Sequence, residues 1–270
     1  NNMNKEDLVS VIMPTYNAGK YLADSINSIL NQSYKNLELL ITDDASTDPT
    51  TLQLLQEFAS KDNRVDILYL KENHGAGYAR NQSIERAKGR YIAFCDSDDR
   101  WTTDKLEKQI AFMNKKKCAL SCASYIIFDG ETQNEIGFCT APKKITYGMM
   151  KRDNKVGCLT AIYDVQMLGR KFFMPTIRKR QDWALFLQII RECKVCYAYP
   201  DKPLAYYCIR RNSISSNKMS LMKYNIAVYK EILGFHPIKA NLYFFTLFLP
   251  TYGAKILKRK FDSYTFTHQK

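Results

Sequence analysis

Four stretches of the chain have the apolar pattern of buried strands, and the intervals between them carry apolar residues at helical spacing. Leu8-Val9-Ser10-Val11-Ile12-Met13 suits a strand covered on both faces, and Pro14 is expected to stop it because proline removes a ladder donor. Leu22, Ile26, Ile29 and Leu30 then follow a helical period. A second strand, Leu37 to Thr42, leads to Asp48-Pro49, a pair suited to an N-cap and first helical position, with Leu52, Leu55 and Phe58 as the inner stripe. Strand Val65 to Leu70, a helix from about Gly77 to Lys88 stopped by Gly89, and strand Arg90 to Cys95 complete the series. This alternation predicts an α/β fold with a mainly parallel central sheet flanked by helices.

Ligands of such sheets bind beyond the carboxyl ends of the strands. That rule gathers three polar segments at one rim: Pro14-Thr15-Tyr16-Asn17, Asp43-Asp44 and Asp96-Ser97-Asp98-Asp99. Asp96, Asp98 and Asp99 repel one another unless they are protonated, paired or neutralised by a cation. Oxygen ligands of this kind suit Mg2+ or Mn2+ bridging to phosphate, although a solvated turn can have the same composition; the position after a central strand favours the metal. Asp43 and Asp44 read either as loop-capping residues or as a contact to a nucleotide base that Tyr16 covers with its ring. Gly75-Ala76-Gly77-Tyr78-Ala79-Arg80-Asn81 lacks dinucleotide-binding spacing; its small residues allow a close turn, and Arg80 can organise carboxylates or approach phosphate.

Farther along, a helix near Thr103 to Lys117, strands within Cys118 to Phe128 and Gly157 to Tyr163, a helix from Asp182 to Glu192 and a strand from Val195 to Tyr199 are expected. With no composition break, residues 1–215 are read as one catalytic unit and 216–270 as a helical appendage. In that appendage Ser220 to Leu233 reads as an amphipathic helix, and Pro237 and Pro250 enclose a 12-residue apolar and aromatic stretch. A helix of that length measures about 18 Å, too short for a hydrocarbon core of about 30 Å. Lys255, Lys258, Arg259 and Lys260 follow, so the segment suits shallow attachment to an anionic membrane; packing on the catalytic unit or on a second copy in a homo-oligomer is the other reading.

In their order along the chain, Val9 to Asn17, Thr42-Asp43-Asp44-Ala45-Ser46-Thr47-Asp48, Gly75 to Asn81 and Asp96 to Asp99 resemble the family 2 glycosyltransferases of the GT-A fold, over roughly residues 8–215. The resemblance implies an inverting enzyme that transfers sugar from a nucleoside diphosphate donor, here a UDP-sugar, with Mn2+ or Mg2+. It places Pro14, Thr15 and Tyr16 in the nucleoside pocket, Asp44 on the uracil, Asp96 near ribose or metal beside Ser97, and Asp98 as the main metal ligand, with Arg80 as a brace. Asp99 is left without a role. The acid that activates the acceptor fits Asp182 in Arg180-Gln181-Asp182-Trp183, where relatives usually have Glu-Asp; a plain helix N-cap is compatible with the same residue. Tyr207 to Ser215 is similar to the segment after the last core strand. There Arg210 replaces the histidine of many relatives and is expected, with Ser213 and Ser215, at the diphosphate, unless the segment is a basic surface loop.

Charge refines the cellular picture. Residues 1–100 net −4 and residues 101–270 net +17, a polarity that fits an acidic metal pocket on a protein drawn to anionic lipid. The resemblance makes a lipid-linked oligosaccharide acceptor attractive, as in lipopolysaccharide, O-antigen or capsule assembly, at the cytoplasmic face of the inner membrane. A soluble glycan acceptor, a sugar-nucleotide nucleotidyltransferase and a basic membrane or nucleic-acid scaffold are the alternatives, and no specific nucleic acid is expected as partner. Eight cysteines at this length read as buried thiols of a reducing compartment, the Cys193-x-x-Cys196 pair included.

Overall fold

The computed structural model describes residues 7–210 and 218–268. The first half of the chain runs β1 (Val9–Thr15), α1 (Leu22–Leu30), β2 (Leu37–Asp43), α2 (Pro49–Lys61), β3 (Val65–Tyr69), α3 (Ala76–Arg86), β4 (Tyr91–Phe94), β5 (Arg100–Trp101) and α4 (Lys105–Lys116). It continues through β6 (Leu120–Ala123), β7 (Tyr125–Asp129), β8 (Glu135–Cys139), β9 (Lys144–Thr146), α5 (Tyr147–Arg152), β10 (Ile162–Asp164), α6 (Val165–Leu168), α7 (Gln181–Cys193), β11 (Val195–Tyr199) and β12 (Ala205–Ile209). Helices α8 (Lys218–Ala227), α9 (Pro237–Tyr243) and α10 (Leu249–His268) follow.

The main sheet has the order β3-β2-β1-β4-β10-β6-β11-β9, and β3, β2, β1 and β4 are mutually parallel. A smaller sheet, β5-β12-β7-β8, stands beside it. Every residue of β1 and β4 is buried, as their continuous apolar runs require for strands covered by helices on both faces. Asp48 caps α2 as expected, its Oδ2 accepting from the backbone N–H of Thr51 at 2.9 Å with Pro49 at the first helical position.

Several expected boundaries move, each for a local reason. Pro14 does not stop β1 but pairs with Thr42 in the β2 register. Cys95 N–H donates to Ile12 O, so Ile12 and, two residues on, Pro14 face β4, whose pairing with β1 has already ended; the missing donor therefore costs no ladder bond. Gly89 is not the helix stop either, because α3 ends at Arg86. A Cβ on Gly89 would lie 2.7 Å from Leu8 O and from Ser10 N, so the glycine is there for close approach to the backbone of β1. The stretch 118–128 divides at Ser124 into β6 and β7, which belong to different sheets, and of the expected strand 157–163 only Ile162 and Tyr163 enter the ladder, as part of β10 antiparallel to β4. Pro250 does not close a helix: the chain stays helical from α9 through the wider π turn Phe244–Phe248 into α10, with Leu249 N–H donating to Phe244 O, and Pro250 follows where the π turn has already shifted the regular hydrogen-bond ladder.

The helices after β12 share the core of the sheet. Trp183 of α7 lies with its ring 5.6 Å from Tyr229 and 5.5 Å from Phe248, and Val228, Tyr229, Ala240, Phe244 and Phe248 are buried in one apolar cluster with Phe94, Leu120 and Phe186. Helix α10 also meets β8, where Ser263 Oγ accepts from the N–H of Phe138 at 3.1 Å. Among the described residues no helix is long and apolar enough to cross a membrane.

Among the described lysines, one lies inside this fold. Lys105 is fully buried, its ammonium 4.3 Å from the Trp101 ring and donating to Gln109 Oε1 at 3.0 Å. Burial brings its pKa down to about 7. Between that value and the ordinary lysine range near 10.5, the unfolded chain holds a proton that the fold does not. Wild-type stability relative to Lys105→Met should therefore rise with pH from about 7 to about 10, by up to about 1.4 kcal/mol per unit. Denaturant titrations across that range test this, and a flat difference would contradict it.

Candidate active site

The rim begins where β1 and β2 end side by side. Asn17, in the left-handed region at φ 47°, accepts at Oδ1 from the N–H groups of Thr47 and Asp48, both at 2.9 Å, and its own N–H donates to Ser46 Oγ. These bonds fasten the loop 14–17 to the loop 43–48. Asp44 is buried; its two carboxylate oxygens accept from the N–H groups of His74 and Gly75, each at 2.8 Å, which brings the start of α3 to the same rim. Thr15 Oγ1 and Asp43 Oδ1, on residues paired across the two strands, are buried without a hydrogen-bond partner among the described residues. Orphaned polar atoms at a strand end suit a polar ligand. Tyr16 stands half exposed beside them, its ring free to lie on a planar base.

The acidic turn follows β4. Asp96 Oδ1 takes an ion pair from Arg80 at 2.6 Å, and Asp98 Oδ2 takes one from Arg210 at 2.5 Å. Arg210 follows β12, is half exposed, and lies over the Tyr21 ring at 5.1 Å. Asp99 is buried and accepts at Oδ1 from the N–H of Cys208 at 2.8 Å. Its role is to tie the acidic turn to β12, which places Arg210 next to Asp98; Ser97 is buried within the turn. Burial, and then the neighbouring carboxylates, raise the pKa of Asp98 and push that of Asp99 well above the carboxylate range.

Crowded carboxylates whose ionisation is resisted, with oxygen donors only, have the chemistry of a hard-cation site. Among the described residues no third acidic, thiol or imidazole ligand completes a cage. Asp96 and Asp98, each paired with an arginine in this structure, would be the side chains open to a divalent cation.

Asp182 stands in the first turn of α7. It does not cap that helix: the N-cap is Arg180, in the left-handed region at φ 64° and without a capping side-chain bond. The Asp182 carboxylate instead accepts from Asn154 Nδ2 at 3.0 Å and opens into a cavity of about 630 Å3 that Asp96, Asp99 and Arg80 also line. Burial would lower the pKa of Arg80, but Asp96 above all, with smaller contributions from Cys158 and Asp182, holds it raised. The guanidinium thus joins the acidic turn electrostatically to Asp182. Gly77 explains the small residues at the start of α3, since a Cβ there would lie 2.3 Å from the Gln181 amide packed on it.

The comparisons with known proteins agree with this geometry. The glycosyl transferase family 2 profile matches residues 10–173. The chain belongs to that family. Its relatives include a putative teichuronic acid biosynthesis glycosyltransferase, TuaG, of Bacillus subtilis, 42% identical over 88% of this chain and 93% of that protein. WfgD of Escherichia coli, a UDP-Glc:alpha-D-GlcNAc-diphosphoundecaprenol beta-1,3-glucosyltransferase, is 38% identical over 80% of this chain and 83% of its own. In fold, the chain is similar to S. aureus TarS, solved with UDP-GlcNAc, at a TM-score of 0.68 and 22% identity over 87% of this chain and 70% of that one. A Pyrobaculum calidifontis mannosyltransferase, solved with GDP-Man and Mn2+, gives a TM-score of 0.62 and 16% identity over 94% of this chain and 75% of that one.

In this family 2 transferase, Pro14, Thr15, Tyr16, Asp44, Arg80, Asp96, Ser97, Asp98 and Arg210 occupy one rim, whereas Ser213 and Ser215 lie outside the described residues. Asn154 and Arg180, both lining the cavity, carry no sequence pattern that singles them out, and neither do the residues that α10 adds to its wall. All eight cysteines are free, and Cys193 and Cys196 mark a helix end and a buried strand position.

A raised pKa at Asp98 means that the fold binds a proton the unfolded chain releases, so wild-type stability falls as pH climbs from about 4 through the raised value. Asp98→Asn removes that loss. Without added metal, its melting temperature at about pH 8 should equal or exceed that of wild type, while its stabilisation by Mn2+ with UDP should shrink. A metal-free melting temperature several degrees below wild type would contradict the repulsion argument.

Proposed function

We propose that this family 2 transferase moves a hexose or N-acetylhexosamine from a UDP-sugar to a hydroxyl of a glycan acceptor, with inversion, during bacterial surface-polysaccharide synthesis. The observation that carries the reading is the shared cavity, which Asp182 lines together with Arg80, Asp96 and Asp99. In a single displacement, Asp182 accepts the proton of the acceptor hydroxyl while that oxygen forms its bond to the anomeric carbon and the bond to the diphosphate breaks, its electrons leaving with UDP. Asn154 holds the Asp182 carboxylate in place, and Arg210 and Arg80 offer guanidinium groups to the departing phosphates. Mn2+ or Mg2+ held by Asp98 and Asp96 would neutralise charge on the diphosphate. Thr15, Tyr16, Asp44 and the orphaned Asp43 oxygen are assigned to the nucleoside.

The names of the relatives that act on, or were solved with, UDP-sugars support the donor, and the diphosphoundecaprenol-linked acceptor of WfgD supports a lipid-linked acceptor. Exposed Ile238, Leu242, Phe245 and Leu249, recurring every three or four residues, support peripheral contact with a lipid surface. Flotation with anionic vesicles measures that contact, and protein left at the bottom of the gradient removes this part of the proposal.

Asp182→Asn should leave UDP-sugar affinity within about twofold and lower transfer by about 10²–10⁴-fold. Calorimetry together with product assays across a donor and acceptor panel checks both. Transfer at the wild-type rate would remove Asp182 from the base position.

A further inference from the structure

The basic run of the C-terminal helix divides when it is wound onto α10. Lys255, Lys258 and Arg259 line the cavity that holds Asp182, as do Thr251 and Asp262; 251, 255, the adjacent pair 258 and 259, and 262 follow one another at helical spacing on one side of the helix. Leu257, Phe261 and Tyr264 are exposed instead. The cations in the cavity are not equivalent. Lys255 is satisfied: its ammonium is 2.9 Å from the buried Asp153 carboxylate and donates to Asn154 O at 2.6 Å, while Lys155 shares Asp153 at 3.3 Å. Asp262 accepts from Thr140 at 2.8 Å. Lys258, Arg259 and Arg180 have no carboxylate within ion-pair distance among the described residues, and Arg180 Nε is buried without a hydrogen-bond partner.

Lys258 is exposed and Arg259 and Arg180 are partly exposed, so the three charges remain solvated; together with the orphaned Arg180 Nε they give this side of the cavity a positive field that draws an anion. The donor diphosphate has its own partners at the acidic turn, in Arg210 and Arg80. We infer that Arg180, Lys258 and Arg259 form an anion site for the acceptor, taking the phosphate or diphosphate that links its sugar to a lipid and so setting which hydroxyl reaches Asp182. This deepens the reading of a glycan acceptor and rests on it. Tyr125 and Tyr207, also in the cavity, add aromatic surface, their rings 5.9 Å apart and inclined at 52°. The arrangement gives the chain a specificity device built from a segment that follows the family profile, which ends at residue 173. It also explains why α10 is fastened at both ends of the cavity wall, by Lys255 to Asp153 and by Ser263 to β8.

The test measures equilibrium binding of two soluble probes, a sugar linked through diphosphate to a short prenyl chain and the same prenyl glycoside without phosphate. Wild type should bind the diphosphate probe at least tenfold more tightly, and Lys258→Gln/Arg259→Gln should lose that preference while UDP-sugar affinity stays within twofold. Lys258→Arg/Arg259→Lys, which keeps both charges, should retain most of it, and a circular dichroism melt equal to wild type excludes misfolding as the cause. Equal binding of the two probes by wild type would overturn the site. Loss of UDP-sugar affinity in the Gln variant would assign the cations to the donor, and loss of anionic-vesicle flotation with probe preference intact would assign them to lipid headgroups; either result overturns the proposal. Because binding is read without turnover, absence of transfer to every acceptor would count against the transferase reading and leave the anion site standing.

Discussion

Arg80 carries a positive charge in a largely buried place, and much of the site is organised by how that charge is balanced. Its ion pair with Asp96 fixes the acidic turn against α3, and the more distant field of Asp182 adds to the balance. A buried guanidinium without such a partner would cost several kcal/mol, so the acidic turn is held against α3 by that requirement. Helix α3 in turn is brought to the rim by Asp44, which binds the two N–H groups just before it. The loops after β1 and β2, the acidic turn and the start of α7 are in this way linked through buried polar and charged contacts. The carboxylates that remain crowded, Asp98 and Asp99, are the residues where the fold tolerates repulsion, as functional sites often do.

The first half of the chain was legible because each of its strands is buried on both faces or ends at a turn with unambiguous chemistry. Val9–Thr15, the Asp48-Pro49 cap and the acidic turn after β4 all follow from local rules. What local rules misjudged were roles that depend on a neighbour. Pro14 is harmless only because β4 stops short of it, and Gly89 is required only because β1 passes close by. The split of residues 118–128 between two sheets likewise depends on β11 and β12, which arrive some seventy residues later. Asp99 could not be assigned from its sequence neighbours, since its partner is a backbone N–H on β12.

The C-terminal segment shows the same limit more sharply. Its apolar and basic residues were readable as a composition, but a composition does not say which residues face inward. Phe244 and Phe248 enter the core beside Trp183, and the π turn they occupy lets the chain continue through Pro250 into α10. That helix then presents cations to the cavity and apolar side chains to solvent. A helix placed in this way adds to the cavity wall residues that the strand-end motifs of the first half do not supply, and such additions are where members of one fold differ.

The central claim is a single displacement with Asp182 as base, and the anomeric configuration of the product tests it most directly. Proton NMR of the disaccharide made from an α-linked UDP-sugar should show the large anomeric coupling of a β-linked gluco-configured product from the first turnover. An α-linked product, formed with retention, would contradict the account.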